Sequence, residues 1–130
     1  MSRQIKKILA ACCLVCLLAG CSSNEADGYT QVNASTAAQM MADEDNEIVL
    51  DVRTPEEYAE AHIPGAINVP NETIGDDAIA ELPDKAQLIM VYCRSGNRSK
   101  QAAQKLADQG YTNVVEFGGI NDWTGETVAS

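Results

Sequence analysis

Seven consecutive residues, Cys93-Arg94-Ser95-Gly96-Asn97-Arg98-Ser99, combine a thiol with the groups that would ionise it. The reactive form of cysteine is the thiolate, which forms where positive charge and N–H donors surround the sulfur. Arg94, Arg98 and Lys100 fall within seven positions of a chain that otherwise carries 19 acidic residues against 9 basic ones and a net charge of −10. The local field therefore opposes the global one. Gly96 permits a positive φ, so successive amides can turn inward as an anion-binding nest. A helical pattern follows, and the amides at its start add partial positive charge. These terms together favour a nucleophilic Cys93. The other reading of the same sulfur is a small buried hydrophobe after a core strand, with the arginines on a solvated face.

The elements that must hold this loop can be read on either side of it. Residues 88–92 form a β-rich apolar run without charge, as expected of a strand buried on both faces, and they end directly at Cys93. Residues 48–50, 67–69 and 114–115 are further strand candidates, and residues 29–32 suit an edge strand. Helical patterns lie between them. Residues 36–41 suit a short helix. Thr54-Pro55-Glu56-Glu57 carries a capping box, with proline at the first helical position, where its missing donor costs nothing. From Asn97 onward Ala102, Ala103 and Leu106 recur at helical spacing, and Gly110 marks the stop. Strands alternating with helices predict an α/β domain with a mainly parallel sheet, here of five strands flanked by helices. Ligands of such sheets bind beyond the carboxyl ends of the strands, where Cys93 falls.

Four segments then resemble the rhodanese family of thiosulfate sulfurtransferase-like domains. Cys93 to Ser99 is similar to its active-site loop, CRxGxR[ST]. Asp51-Val52-Arg53-Thr54-Pro55-Glu56-Glu57-Tyr58 matches DVRxxxEY/F, and His62-Ile63-Pro64-Gly65-Ala66-Ile67-Asn68-Val69-Pro70 matches HIPGAxNxP. Gly118-Gly119-Ile120-Asn121-Asp122-Trp123 resembles the closing GGxxxW. The segments follow the family's order from Asp51 to Trp123, although the tail after Trp123 is shorter than in many members.

The resemblance implies a sulfane-sulfur carrier. Cys93 would take sulfur from a small anionic donor, thiosulfate or a persulfide, and pass it to a thiol, cyanide or sulfite. Arg94, Ser95, Gly96, Asn97, Arg98 and Ser99 would bind the substrate: loop amides cradle the persulfide, while Arg94 and Arg98 draw in the donor. No metal or organic cofactor is implied. Asp51 and Arg53 are expected to pair and fix neighbouring loops, His62 to support its turn, and Trp123 to pack. A phosphatase or arsenate reductase shares the thiolate-in-a-cradle logic, but places five residues between Cys and Arg where this loop has four. A non-catalytic, partner-binding rhodanese-like module is a further alternative, though such modules typically lack the Cys.

The N-terminus reads as a targeting segment. Arg3, Lys6 and Lys7 precede 12 apolar residues, 8–19, too few for the roughly 20 that a spanning helix needs. Leu18-Ala19-Gly20-Cys21 resembles the lipobox of bacterial lipoproteins. The expectation is a signal peptide over residues 1–20, a lipidated Cys21 and flexible tether over 21–28, and one domain over 29–130. That places the domain outside the cytoplasm, anchored to a bacterial membrane. Cleavage removes three basic residues and no acidic ones, taking the charge from −10 to −13, and it removes Cys12, Cys13 and Cys16. With Cys21 lipidated, Cys93 is the single free thiol, so neither a disulfide nor a zinc site with His62 can be assembled. The acidic balance argues against nucleic acid as a partner.

Overall fold

The computed structural model describes residues 24–26 and 28–130, so the expected signal peptide and Cys21 lie outside the described residues. Strands β1 (Asn24–Ala26), β2 (Tyr29–Gln31), β3 (Ile48–Asp51), β4 (Ile67–Asn68), β5 (Ile89–Cys93) and β6 (Val114–Gly119) form one sheet in the order β1-β2-β6-β5-β3-β4. Five of them run parallel, as the alternation of strands and helices predicts.

The sixth corrects the sequence reading. Three residues of the expected flexible tether pair antiparallel with β2, from Asn24↔Gln31 to Ala26↔Tyr29. The backbone of β2 had an open edge, and pairing it needs no apolar side chain. Strand β2 is therefore not the edge strand it was expected to be.

Helix α1 (Ala34–Asp43) starts two residues earlier than expected because the Asn33 side chain accepts from the Thr36 amide as its N-cap. Helix α2 (Pro55–Glu60) has the predicted capping box: Thr54 accepts from the Glu57 amide, and Glu57 accepts from the Thr54 amide. Helix α3 (Asn97–Asp108) ends as Gly110 foretells. With φ at +101°, Gly110 lets its own amide reach Ala107 O and the Tyr111 amide reach Leu106 O, a Schellman pair of bonds.

Side chains alternate across the sheet and divide the core in two. Ile89, Val91 and Cys93 join Leu50, Val52, Val114 and the apolar stripe of α3, Ala102, Ala103 and Leu106. Met90 and Tyr92 join Val49, Val115, Phe117 and Ala37 of α1 on the opposite face. The two-residue period thus aims the Cys93 sulfur at the start of α3. It also aims Glu116 there, since Glu116 shares its face with Val114.

Candidate active site

Cys93 is the last residue of β5 and is 1% exposed. The chain leaves the strand, turns at Gly96 with φ at +107°, and enters α3. That turn brings the Gly96 amide to 3.0 Å from Sγ, with the Ser99 hydroxyl at 3.5 Å. Burial opposes ionisation of the thiol. Hydrogen bonding with the Ser99 hydroxyl and with the amides of Ser99, Gly96 and Ser95 outweighs it, holding the Cys93 pKa below the ordinary thiol value.

The loop rests on the end of β6. A Cβ at Gly119 would collide with the Arg94 carbonyl, and that carbonyl accepts from the Asn121 amide at 3.2 Å. Gly119 is thus bare because the loop lies against it, whereas Gly118 supplies a backbone turn, with φ at +89°.

The other expected binding residues divide by exposure. Arg94, Ser95 and Asn97 are exposed on the outer side of the loop, whereas Gly96 and Ser99 are buried beneath it. Arg94 borders a cavity of about 370 Å³, shared with Arg53, Glu57, Glu60, Asn121 and Thr127. Arg98 departs from expectation. It does not stand as an unpaired cation for the donor: its Nη1 and Nη2 donate to Glu57 at 2.8 and 3.0 Å. Glu57 holds the third position of α2, and its capping role already aims its carboxylate at the loop. The Arg98 guanidinium, aided by Thr54, lowers the Glu57 pKa to about 2 against the desolvation of the site. Arg98 remains close enough for its charge and that of Cys93 to act on each other.

Asp51 and Arg53 pair as expected, at 2.6 Å and out of water. Asp51 also accepts from the Tyr92 hydroxyl at 2.8 Å, Tyr92 accepts from the Ile63 amide, and Arg53 donates to Ala61 O. This network fixes the turn after His62 to β3 and β5. His62 stacks on Tyr58 with ring centroids 3.8 Å apart, donates from Nδ1 to Tyr58 O, and pairs its backbone with Val128. It supports its turn, as predicted. Trp123 packs beside Phe117, and the short tail closes over α2 through a bond from the Ser130 amide to Ala59 O.

Glu116 is the group that sequence reasoning missed. It is 2% exposed, and its Oε2 lies 2.6 Å from Ser99 Oγ and accepts from the Gly118 amide at 2.7 Å. A charge two residues before the double glycine was the available signal, interrupting an apolar strand.

Residues 33–126 match the family described as "Rhodanese-like domain". The chain is 41% identical over 73 residues to the thiosulfate sulfurtransferase PspE of Escherichia coli, covering 56% of this chain and 70% of that protein. It is 37% identical over 94 residues to a sulfurtransferase of Allochromatium vinosum, covering 72% and 86%. Among solved structures it superposes on an E. coli rhodanese with anions at a TM-score of 0.60 and 38% identity, covering 65% of this chain and 99% of that one. The family match spans strands β3 to β6, the Cys93 loop and the closing glycines of this chain, and the chain belongs to the rhodanese-like domain family.

Proposed function

We propose that the protein moves sulfane sulfur from thiosulfate or a persulfide to a thiophilic acceptor through a persulfide on Cys93. The observation that carries this reading is the Gly96 amide 3.0 Å from a buried Sγ, in a loop whose neighbouring amides also favour the thiolate. With thiosulfate, the thiolate electron pair forms a bond to the outer sulfur. The S–S bond of the donor breaks, and sulfite departs with its electrons. The transferred sulfur is left as the anionic end of Cys93–S–S⁻, and the total charge is unchanged. A thiol, cyanide or sulfite then attacks that terminal sulfur and restores the thiolate, completing a double displacement. The amides of residues 95–99 hold the negative charge throughout, and exposed Arg94 meets the incoming anion.

A phosphatase is disfavoured by the loop itself. It has four residues between Cys93 and Arg98, and the Arg98 fork is occupied by Glu57. The test is sulfite release from thiosulfate with cyanide as acceptor. Turnover is expected, and Cys93→Ser should reduce it to background; turnover that survives the substitution would refute the reading.

We further propose that Cys21 carries a lipid that tethers the domain outside the cytoplasmic membrane. The mass of the N-terminal peptide from membrane-extracted protein tests this, and a mature chain beginning at any residue but a modified Cys21 would exclude it. Strand β1 runs opposite to its neighbours, so the chain enters the sheet at the end that carries Cys93. An anchor there would keep the catalytic loop on the side of the domain nearer the bilayer.

A further inference from the structure

Beneath the loop, the Ser99 hydroxyl is surrounded by more acceptors than it has protons. Its Oγ lies 2.6 Å from Glu116 Oε2, 3.0 Å from Gly96 O, 3.2 Å from Gly118 O and 3.5 Å from Cys93 Sγ. A hydroxyl has a single proton to give. While Glu116 is ionised, its carboxylate is both the nearest and the strongest acceptor and takes that proton. Ser99 then turns only lone pairs toward the sulfur, and the Cys93 thiol donates to Ser99 Oγ. When Glu116 carries a proton, that proton goes to Ser99 Oγ, and Ser99 donates to a Cys93 thiolate. The Gly118 amide can donate to Oε2 in both states.

We propose that Glu116 is the resident proton acceptor for Cys93, acting through Ser99. The Sγ–H proton passes to Ser99 Oγ as the Ser99 proton passes to Glu116 Oε2, so one negative charge moves from carboxylate to sulfur. No bond other than those to the two protons changes, and the net charge of the site is constant. That constancy matters because Cys93, Ser99 and Glu116 are 1%, 0% and 2% exposed. Two uncompensated anions at so short a range, out of water, would be costly.

After attack on a donor the charge resides on the terminal sulfur of the persulfide. The proton stays on Glu116 until the acceptor has removed the sulfur. Glu116 itself touches no reacting atom, so its role is that of a positioning residue and proton store.

The surrounding charges are Arg94 in the loop, Arg98 and Lys100 on α3, and Glu57 behind Arg98. Lys100, Glu116 and Asp122 line one cavity with residues 31–35, which contribute no titratable side chain. None of the basic groups contacts the Glu116 carboxylate among the hydrogen bonds and ion pairs of the described residues. The carboxylate is therefore held by Ser99 and an amide rather than by a fixed cation, which leaves its charge able to move.

The inference rests on Cys93 being the nucleophile, but its test needs no sulfur transfer. The Cys93 thiolate is followed by ultraviolet absorbance against pH in the full chain, as the difference from Cys93→Ser. Two groups that share one charge titrate in two macroscopic steps. The first gives a partial thiolate plateau and the second completes it. Glu116→Gln keeps the shape but cannot store the proton, and it should reduce the curve to one step. Ser99→Ala keeps the carboxyl but breaks the relay. Because that hydroxyl serves whichever of the two groups is ionised, its loss should move the first step up by about one pH unit, the worth of one hydrogen bond to a charged group. A single step in the unaltered protein overturns the inference, as does a two-step curve that survives Glu116→Gln. Persulfide loading alongside a single-step curve would remove the relay and leave the sulfurtransferase reading standing.

Discussion

Strands β3 and β5 lie side by side in parallel register and end at the same edge of the sheet, one at Asp51 and the other at Cys93. Both terminal side chains are buried, and both can be anions. Their surroundings differ. Asp51 is saturated: Arg53 grips both of its oxygens, Tyr92 adds a hydroxyl, and the Arg53 amide donates as well. Cys93 has donors without a counter-charge seated against it, because Arg98 is engaged by Glu57 and Arg94 faces outward. Neighbouring strand ends thus carry a structural bolt, in register with Tyr92, and, on the opposite face one residue further on, the thiol proposed as the nucleophile. A charge gripped by a seated counter-ion holds loops together, whereas one stabilised mainly by hydrogen-bond donors is less firmly tied.

The largest effect should come from damaging the bolt. Asp51→Asn leaves Arg53 buried beside a neutral partner, and urea unfolding should show a loss of about 3–5 kcal/mol. Molecules that remain folded should still load sulfur. A variant of unchanged stability, or one folded but unable to load, would erase the contrast between the two strand ends.

Gly119→Ala sharpens the other side. The new methyl meets the Arg94 carbonyl, so the loop must shift, and overpacking of this kind costs about 1–3 kcal/mol. The rate of sulfur loading should fall at least about tenfold in protein that is still folded, because the amide cradle is displaced; full activity would show that the bed beneath the loop is dispensable.

The smallest effect belongs to the partly exposed pair that joins the loop to α2. Glu57 has its pKa lowered from 4.5 to about 2, so its contribution is fully present above pH 4.5 and disappears as pH falls through about 2. Solvent screening limits that contribution to about 1 kcal/mol or less. Unfolding of the parent and of Glu57→Gln should therefore differ at neutral pH and converge near pH 2. A difference that grows in acid would have the wrong sign.

What the sequence made legible follows from where each interaction is encoded. The capping box at Thr54, the stop at Gly110 and the apolar run before Cys93 are local, and the structure places all three as read. The loop amides were also legible, since Gly96 and the following helix start dictate their direction. Pairings across the fold were not. Arg98 and Glu57 are 41 positions apart, and Ser99 and Glu116 are 17 apart on different elements. In sequence, Glu116 stands among strand residues as an acid that solvent would cover; only the packing of α3 over β6 buries it. Strand β1 was hidden for a related reason. Its pairing is made by backbone groups, which the residue types at 24–26 do not announce.

Cys93, although 1% exposed, is expected to give up its proton and to be reached by a sulfur donor. Intact mass after incubation with thiosulfate measures it directly. A gain of one sulfur atom is expected, absent in Cys93→Ser and reversed by cyanide. A protein that emerges from the donor with its mass unchanged would contradict it.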